Sequence, residues 1–412
     1  MGTGAENRAL NIMRFGAALL VVAGHFRVFF FEDYSEAPQT VGHAILYSFT
    51  SVGAEAVVVF FVLSGFWVGG SAWTRVRGGG FAWKSYAIAR VTRLWIVLLP
   101  ALALTVILDA LGKHLFASAD AYSASATYAA LDANPDHSLL TLVGNVFFLQ
   151  DIWVQPYGTN NPLWSLSYEF WYYLLFPVFA LAVVSRLHWA LRLLYGILAV
   201  AIVIFVGPEV LLLMPAWILG AIVGANRGTI AAFLRRSPRP AVRVAQVVLA
   251  VGVLAAMVAH HQIPAPLRLD SLALGAITAL LVASLVVDIR LPGKADLVLS
   301  GSSNAAHWSY SLYAVHMPIV VFLAAMLVPA KAERWTIDPP HVLLGLALIS
   351  GICAFAWGFG RLTEHNTDRV RRTVSSWFQR RSGRSANNRG AMTAGNHPGH
   401  PSAESPAQGD AQ

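Results

Sequence analysis

Arg14 and His25 stand eleven residues apart in the run RFGAALLVVAGH, where every residue between them is apolar or small. An ideal helix makes about three turns over that interval, so the two side chains share a face roughly 16 Å apart. A guanidinium is a permanent cation, and an imidazole exchanges a proton near neutral pH. Charged groups facing lipid are costly, so the shared face is expected to line a protein interior or a wet cleft. In NNPLWSLSYEFWYYLLFPV, Glu169 falls about two turns inside a second apolar run, at a depth where it is expected to meet His25 and orient it as a general base. The run HWSYSLYAVHMPIV spaces Tyr310, Tyr313 and His316 three residues apart, on one helix face that suits acceptor binding or oxyanion support. Arg90 and Arg93 in ARVTR sit one turn apart, where two guanidiniums can grip phosphates. Ser64 in FFVLSGFWVGG lacks the strand-turn-helix setting of a nucleophile elbow and reads as a close-packing step. Cys353 is the single cysteine, so neither an internal disulfide nor a cysteine-based metal cluster is expected, and no metal site is assigned.

These residues are carried by a chain built for lipid. Of 412 residues, 56% are hydrophobic and 12% charged, a composition outside the soluble range. Apolar runs long enough to cross a bilayer fall at about 9–30, 44–70, 88–111, 162–184, 189–207, 209–226, 243–260, 270–288, 305–329 and 341–362. The expected fold is therefore all-α and polytopic, with about ten transmembrane helices. An even count places both termini on one side. Most of the Lys and Arg, which give a net charge of +8, fall in the loops and tail on that same side, which is thereby read as cytoplasmic. The charge is an orientation signal, and no nucleic-acid partner is expected. Bulky residues (VFFFEDY) follow the first run in place of a cleavage site, so it is read as retained. The segment SLLTLVGNVFFLQDIW, within the long connection 112–162, is read as interfacial or re-entrant. Residues 1–381 are expected to form the membrane domain, and 382–412, small, polar and rich in Pro and Gly, a disordered cytoplasmic tail.

Arg14 with His25, FFVLSGF at 60–66, RVTR at 90–93, LWSLSYEFWYYLLFP at 163–177, SYSLYAVH at 309–316 and TEH at 363–365 occur in an order that resembles the acyltransferase-3 family of integral-membrane O-acyltransferases. The likeness runs from about residue 8 to 365. It departs at Val58, where the family often carries an acidic residue; Glu55 lies three positions upstream. The tail is too short for the extracytoplasmic esterase-like domain of some members. The resemblance implies a ten-span cell-membrane enzyme that moves an acyl group, commonly acetyl from acetyl-CoA, to a hydroxyl of a glycan or glycosylated metabolite. It implies that the histidine of the Arg14/His25 motif is essential and that Arg90 and Arg93 handle the donor. Acyl-CoA is then a co-substrate, with no permanently bound cofactor. The competing expectation is a proton-coupled permease or flippase using the same buried ionisable groups as a relay.

Overall fold

The computed structural model describes residues 8–38, 40–123, 128, 135–184, 186–262, 269–287 and 306–378. The expected tail 382–412 and the DIRLPGKAD loop lie outside the described residues. A compact unit ends at Thr367; a second begins at Asp368 and is helical over 368–378. Among the described residues there is no β-sheet, only two isolated bridges, Phe31 with Trp335 and Gln150 with Val154.

In chain order the helices of the first unit are α1 (Arg8–Phe30), α2 (Val41–Thr50), α3 (Gly53–Ser64), α4 (Gly70–Arg77), α5 (Trp83–Leu115), α6 (Leu139–Val146) and α7 (Trp164–Val183). There follow α8 (Trp189–Leu211), α9 (Met214–Ala225), α10 (Arg227–Arg236), α11 (Arg239–Gln262), α12 (Leu269–Ser284), α13 (Ser309–Leu327) and α14 (Pro339–Leu362). A five-residue π-helical turn, Gly65–Gly69, joins α3 to α4. Each of the ten apolar runs has a helix. Eight helical segments among the described residues are long and apolar enough to cross a membrane, and a ninth if α9 and α10, bent by 65° at Asn226, count as one. The remaining run, 270–288, is shorter, with 16 helical residues in α12. The run 44–70 divides at Ser51 and Val52, so α2 is a separate ten-residue helix. α6 has eight residues, too few to span, which agrees with the non-spanning reading of its segment.

α3, α7 and α13 are largely buried, whereas α8, α11 and α14 leave most of their apolar side chains exposed, as lipid-facing helices do. At the centre, α3 and its π-turn meet α9 backbone to backbone. A Cβ at Gly65 would overlap the Trp217 carbonyl, and one at Gly220 would overlap the Val62 carbonyl, so only glycine allows that approach. The reading of the Ser64-Gly65 step as a packing step holds for the glycine.

Two prolines wire the site-bearing helices together. Pro318 in α13 has no N–H to give the Ala314 carbonyl four residues earlier. Asn160 supplies the donor instead: its Nδ2 bonds Ala314 O at 2.9 Å and Thr105 Oγ1 of α5 at 3.0 Å. Pro177 leaves the Tyr173 carbonyl of α7 in the same state, and the Tyr86 hydroxyl of α5 donates to it at 2.9 Å. The loop that carries Asn160 is held by fully buried Asp109, which accepts from the Thr159 N–H at 2.9 Å, the Thr159 hydroxyl at 2.7 Å and His137 Nε2 at 2.8 Å. Gly158, at φ 57°, turns the chain against that carboxylate, where a Cβ would collide with it. Beyond the end of α1, Trp335 N–H donates to Phe30 O at 2.7 Å, and Arg334 forks onto both Asp33 oxygens at 3.0 and 2.8 Å.

Asn160→Leu leaves the Ala314 carbonyl buried without a donor and is expected to cost about 1–3 kcal/mol. Pro318→Ala restores an in-helix donor, so the double variant should recover part of that loss in a thermal-unfolding cycle; strict additivity would refute the linkage. The hydrogen bond from Arg334 holds the Asp33 carboxyl below the usual carboxylate range. A carboxyl depressed in the folded state stabilises the fold above its unfolded value, about 3.9, and loses that contribution as pH falls through the lower folded value. Asp33 is half exposed, so the effect is small. The melting midpoints of wild type and Asp33→Asn should differ at pH 6 and converge toward pH 3.

Candidate active site

Arg14, in the second turn of α1, and Arg90 and Arg93, in the second and third turns of α5, line a single cavity of about 580 Å³. Ser64 and Trp67 from the α3 end and its π-turn, Ser165, Glu169 and Tyr173 from α7, Arg227 from α10, and Tyr310 and Tyr313 from α13 complete much of its wall. The cavity thus gathers six of the eight residues selected from sequence. Arg14 bonds the Ala306 carbonyl just before α13, lies 5.7 Å from the Trp67 ring centre and approaches Glu364 Oε1 at 3.9 Å. Arg90 sits 5.9 Å from the ring centres of both Tyr86 and Tyr173. Arg93 lies in the field of Glu364 and Glu169. Four guanidiniums therefore face or border one chamber with two carboxylates, leaving it cationic.

Glu169 is held as an acceptor. Its Oε1 takes the Ser64 hydroxyl at 2.7 Å and the Tyr173 hydroxyl one turn further along α7, while Trp217 Nε1 donates to Ser64 Oγ at 3.2 Å. Both hydroxyl protons point at the carboxylate, which suits an ionised Glu. Glu364 is held likewise, accepting from the Ser311 N–H and hydroxyl, each at 3.1 Å.

His25 and His316 form a second group. His25 Nδ1 lies 2.8 Å from His316 Nε2, and His316 Nδ1 lies 2.7 Å from the Tyr313 carbonyl. The ring planes differ by 12° with centres 5.1 Å apart, which equals the N···N distance plus two ring radii. The rings are therefore side by side and nearly coplanar, as an in-plane hydrogen bond requires. A carbonyl only accepts, so His316 carries its proton on Nδ1 and presents a lone pair on Nε2. His25 must then donate from Nδ1, which leaves its Nε2 as the basic nitrogen. His316 is fully buried and His25 partly exposed.

This corrects the expectation that Glu169 orients His25. Serine and tyrosine hydroxyls both bond to Glu169 Oε1, and the imidazole of His316 occupies the nitrogen of His25 that an orienting carboxylate would take. His316 is accordingly a partner of His25. Neither imidazole is among the cavity-lining residues; Tyr313 joins the two groups, its ring in the cavity wall and its carbonyl on His316. The Tyr313 hydroxyl is tied to Ser165 Oγ at 2.7 Å and to Pro162 O at 2.9 Å, and Tyr310 donates to Leu94 O at 3.3 Å. Sequence reasoning missed Tyr173, Arg227 and Trp67 as site residues and gave Glu364 no role. The spacing of Tyr173, four residues after Glu169, was the one signal at hand; Arg227 reaches the cavity only through the bend between α9 and α10. Among the described residues no group of His, Cys, Asp and Glu has a metal-binding arrangement.

The sequence matches the acyltransferase-3 family, described as an acyltransferase domain, over residues 7–359. No curated protein and no solved structure matches the chain. The matched range contains both the cation-lined cavity and the paired imidazoles, and extends through all the apolar helices that carry them. The chain belongs to the acyltransferase-3 family and is a multi-pass membrane acyltransferase.

Proposed function

We propose that the protein transfers an acyl group, acetyl in the first instance, from acyl-CoA to a hydroxyl of a glycan or glycosylated metabolite at the cell membrane, with His25 as general base. The observation that carries this reading is the convergence of Arg14, Arg90 and Arg93 in one cavity whose wall, through Tyr313, adjoins the imidazole pair. Guanidiniums in a cavity suit a polyphosphorylated donor. Arg75 and Arg77 stand in the last turn of α4, Arg235 and Arg236 in that of α10, and Arg227 lines the cavity; basic residues gathered in these connections support a cytoplasmic mouth and cytoplasmic termini.

The donor's charged end rests on the arginines, and its arm runs along α1 over the roughly 16 Å that separate Arg14 from His25. To reach His25 the thioester passes the Phe60 and Tyr313 rings, which meet edge to face at 5.7 Å. His25 Nε2 takes the proton of the acceptor hydroxyl as its oxygen bonds to the thioester carbonyl carbon. The C–S bond then breaks, and His25 passes that proton to the departing sulfur, so that CoA leaves as the thiol and His25 is neutral again. His316 fixes the tautomer of His25 and, with the Tyr313 carbonyl behind it, stabilises the transient imidazolium. Glu169 and Glu364 serve as counter-charges to the arginines.

His25→Ala protein that inserts normally should lose about 10²–10⁴ of transfer rate, measured with radiolabelled acetyl-CoA and a glycan acceptor. His316→Leu should lower kcat and change its pH profile at unchanged donor KM, whereas His316→Gln, which keeps an acceptor for the His25 N–H, should restore part of the rate. Wild-type transfer in His25→Ala would remove the base assignment. Replacing Arg90 and Arg93 together by Ala should raise donor KM about tenfold or more; unchanged donor dependence would leave them as orientation signals.

A further inference from the structure

Away from the cation-lined cavity, three helix ends bring a serine, an imidazole and a carboxylate into line. Glu55 stands in the first turn of α3, His260 in the last turn of α11 and Ser271 in the first turn of α12. Glu55 Oε1 lies 2.9 Å from His260 Nδ1, and His260 Nε2 lies 3.3 Å from Ser271 Oγ. Glu55 is 3% exposed and Ser271 5%, while the His260 side chain is 21% exposed. Val286, just past the far end of α12, lines the donor cavity, so along α12 the two places are about 20 Å apart.

The order of atoms fixes the polarity. An ionised carboxylate only accepts, so His260 carries its proton on Nδ1 toward Glu55. Its Nε2 then offers a lone pair, and the partner there is the Ser271 hydroxyl. Nucleophile, base and orienting carboxylate each sit on the atom that nucleophilic catalysis requires, with the base reached through one ring nitrogen and oriented through the other.

We propose that Ser271, His260 and Glu55 form a second catalytic site, a serine esterase centre that hydrolyses small carboxylic acyl esters at the end of α12 remote from the donor cavity. The burial of Ser271 restricts the acyl group to a short one. Ser271 Oγ bonds to the ester carbonyl carbon as its proton moves to His260 Nε2. The ester C–O bond breaks, and the alcohol leaves with that proton. Water then adds to the acyl-serine and gives a proton to His260, which returns it to Ser271 Oγ as the carboxylic acid departs. Glu55 stays ionised throughout and holds the tautomer of His260.

The test uses full-length protein purified in detergent and a fluorophosphonate probe, which phosphonylates activated serines. Peptide mapping of wild-type protein should find the adduct on Ser271. Ser271→Ala should abolish that adduct, His260→Gln should slow its formation about 100-fold or more, and Glu55→Gln should slow it as well. The same variants should lose turnover of p-nitrophenyl acetate in parallel. Folded wild-type protein with no adduct on Ser271, or labelling at the wild-type rate in His260→Gln, would reduce the three residues to a hydrogen-bonded tie between helix ends and overturn the proposal.

Discussion

A carbonyl buried among apolar side chains must find a donor, and each proline inside a spanning helix leaves one carbonyl without its own. Pro318 and Pro177 do this at Ala314 and Tyr173, and the donors arrive from other elements: Asn160 for the first, the Tyr86 hydroxyl for the second. The consequences reach beyond local satisfaction. Asn160 brings the start of α7 and the body of α5 onto α13 within one turn of Tyr313, while Tyr86 holds α5 to α7 one turn from Arg90. The cavity wall contributed by α5, α7 and α13 is therefore set by the two places where helices cannot satisfy themselves. The backbone contact of α3 with α9 adds the remaining side, since glycines there let Trp217 reach Ser64 and hence Glu169.

The charges in that chamber follow the same logic. Guanidiniums brought together in a low-dielectric setting repel one another strongly and require counter-charge or an anionic ligand. Glu169 and Glu364 supply two negative charges, and each is clamped by hydroxyl or amide donors. Fixed acceptors of this kind keep the arginine side chains oriented without neutralising them, because Arg14, Arg90, Arg93 and Arg227 outnumber the carboxylates. What remains is a standing positive potential inside the membrane domain.

The all-helical fold, the membrane class and six of the cavity residues, Arg14, Arg90, Arg93, Glu169, Tyr310 and Tyr313, were legible because polar groups in apolar runs are few and costly. Helical spacing alone put Arg14 and His25 on one face, and Tyr310, Tyr313 and His316 on another. Depth arithmetic misassigned the partner of His25. It placed Glu169 and His25 at comparable levels, but level does not specify azimuth, and the azimuth of α7 is set by Asn160 and Tyr86, two long-range contacts with no local signal. Arg227 escaped notice for a related reason: a basic residue between apolar runs reads as an orientation signal, and only the 65° bend after α9 turns it toward the chamber. The break of the run 44–70 into α2 and α3 was equally hidden, because Ser51 and Val52 interrupt the helix without a proline or glycine cluster.

The pairing of α1 with α13 explains why the imidazoles sit where they do. Arg14 meets Ala306 and His25 meets His316, intervals of eleven and ten residues, so the two segments run parallel and nearly in register. Two contacts separated by about 15 Å resist both sliding and rotation of one helix on the other. Rotation would break the in-plane imidazole bond first, since that bond tolerates little tilt. Tyr313 is the point where this rigid pair touches the chamber: its hydroxyl is anchored to Ser165 and Pro162, its ring packs against Phe60, and its carbonyl fixes the His316 tautomer. A ligand that pushes the Tyr313 ring while the backbone stays anchored would thus open the wall without disturbing the proton arrangement on His25.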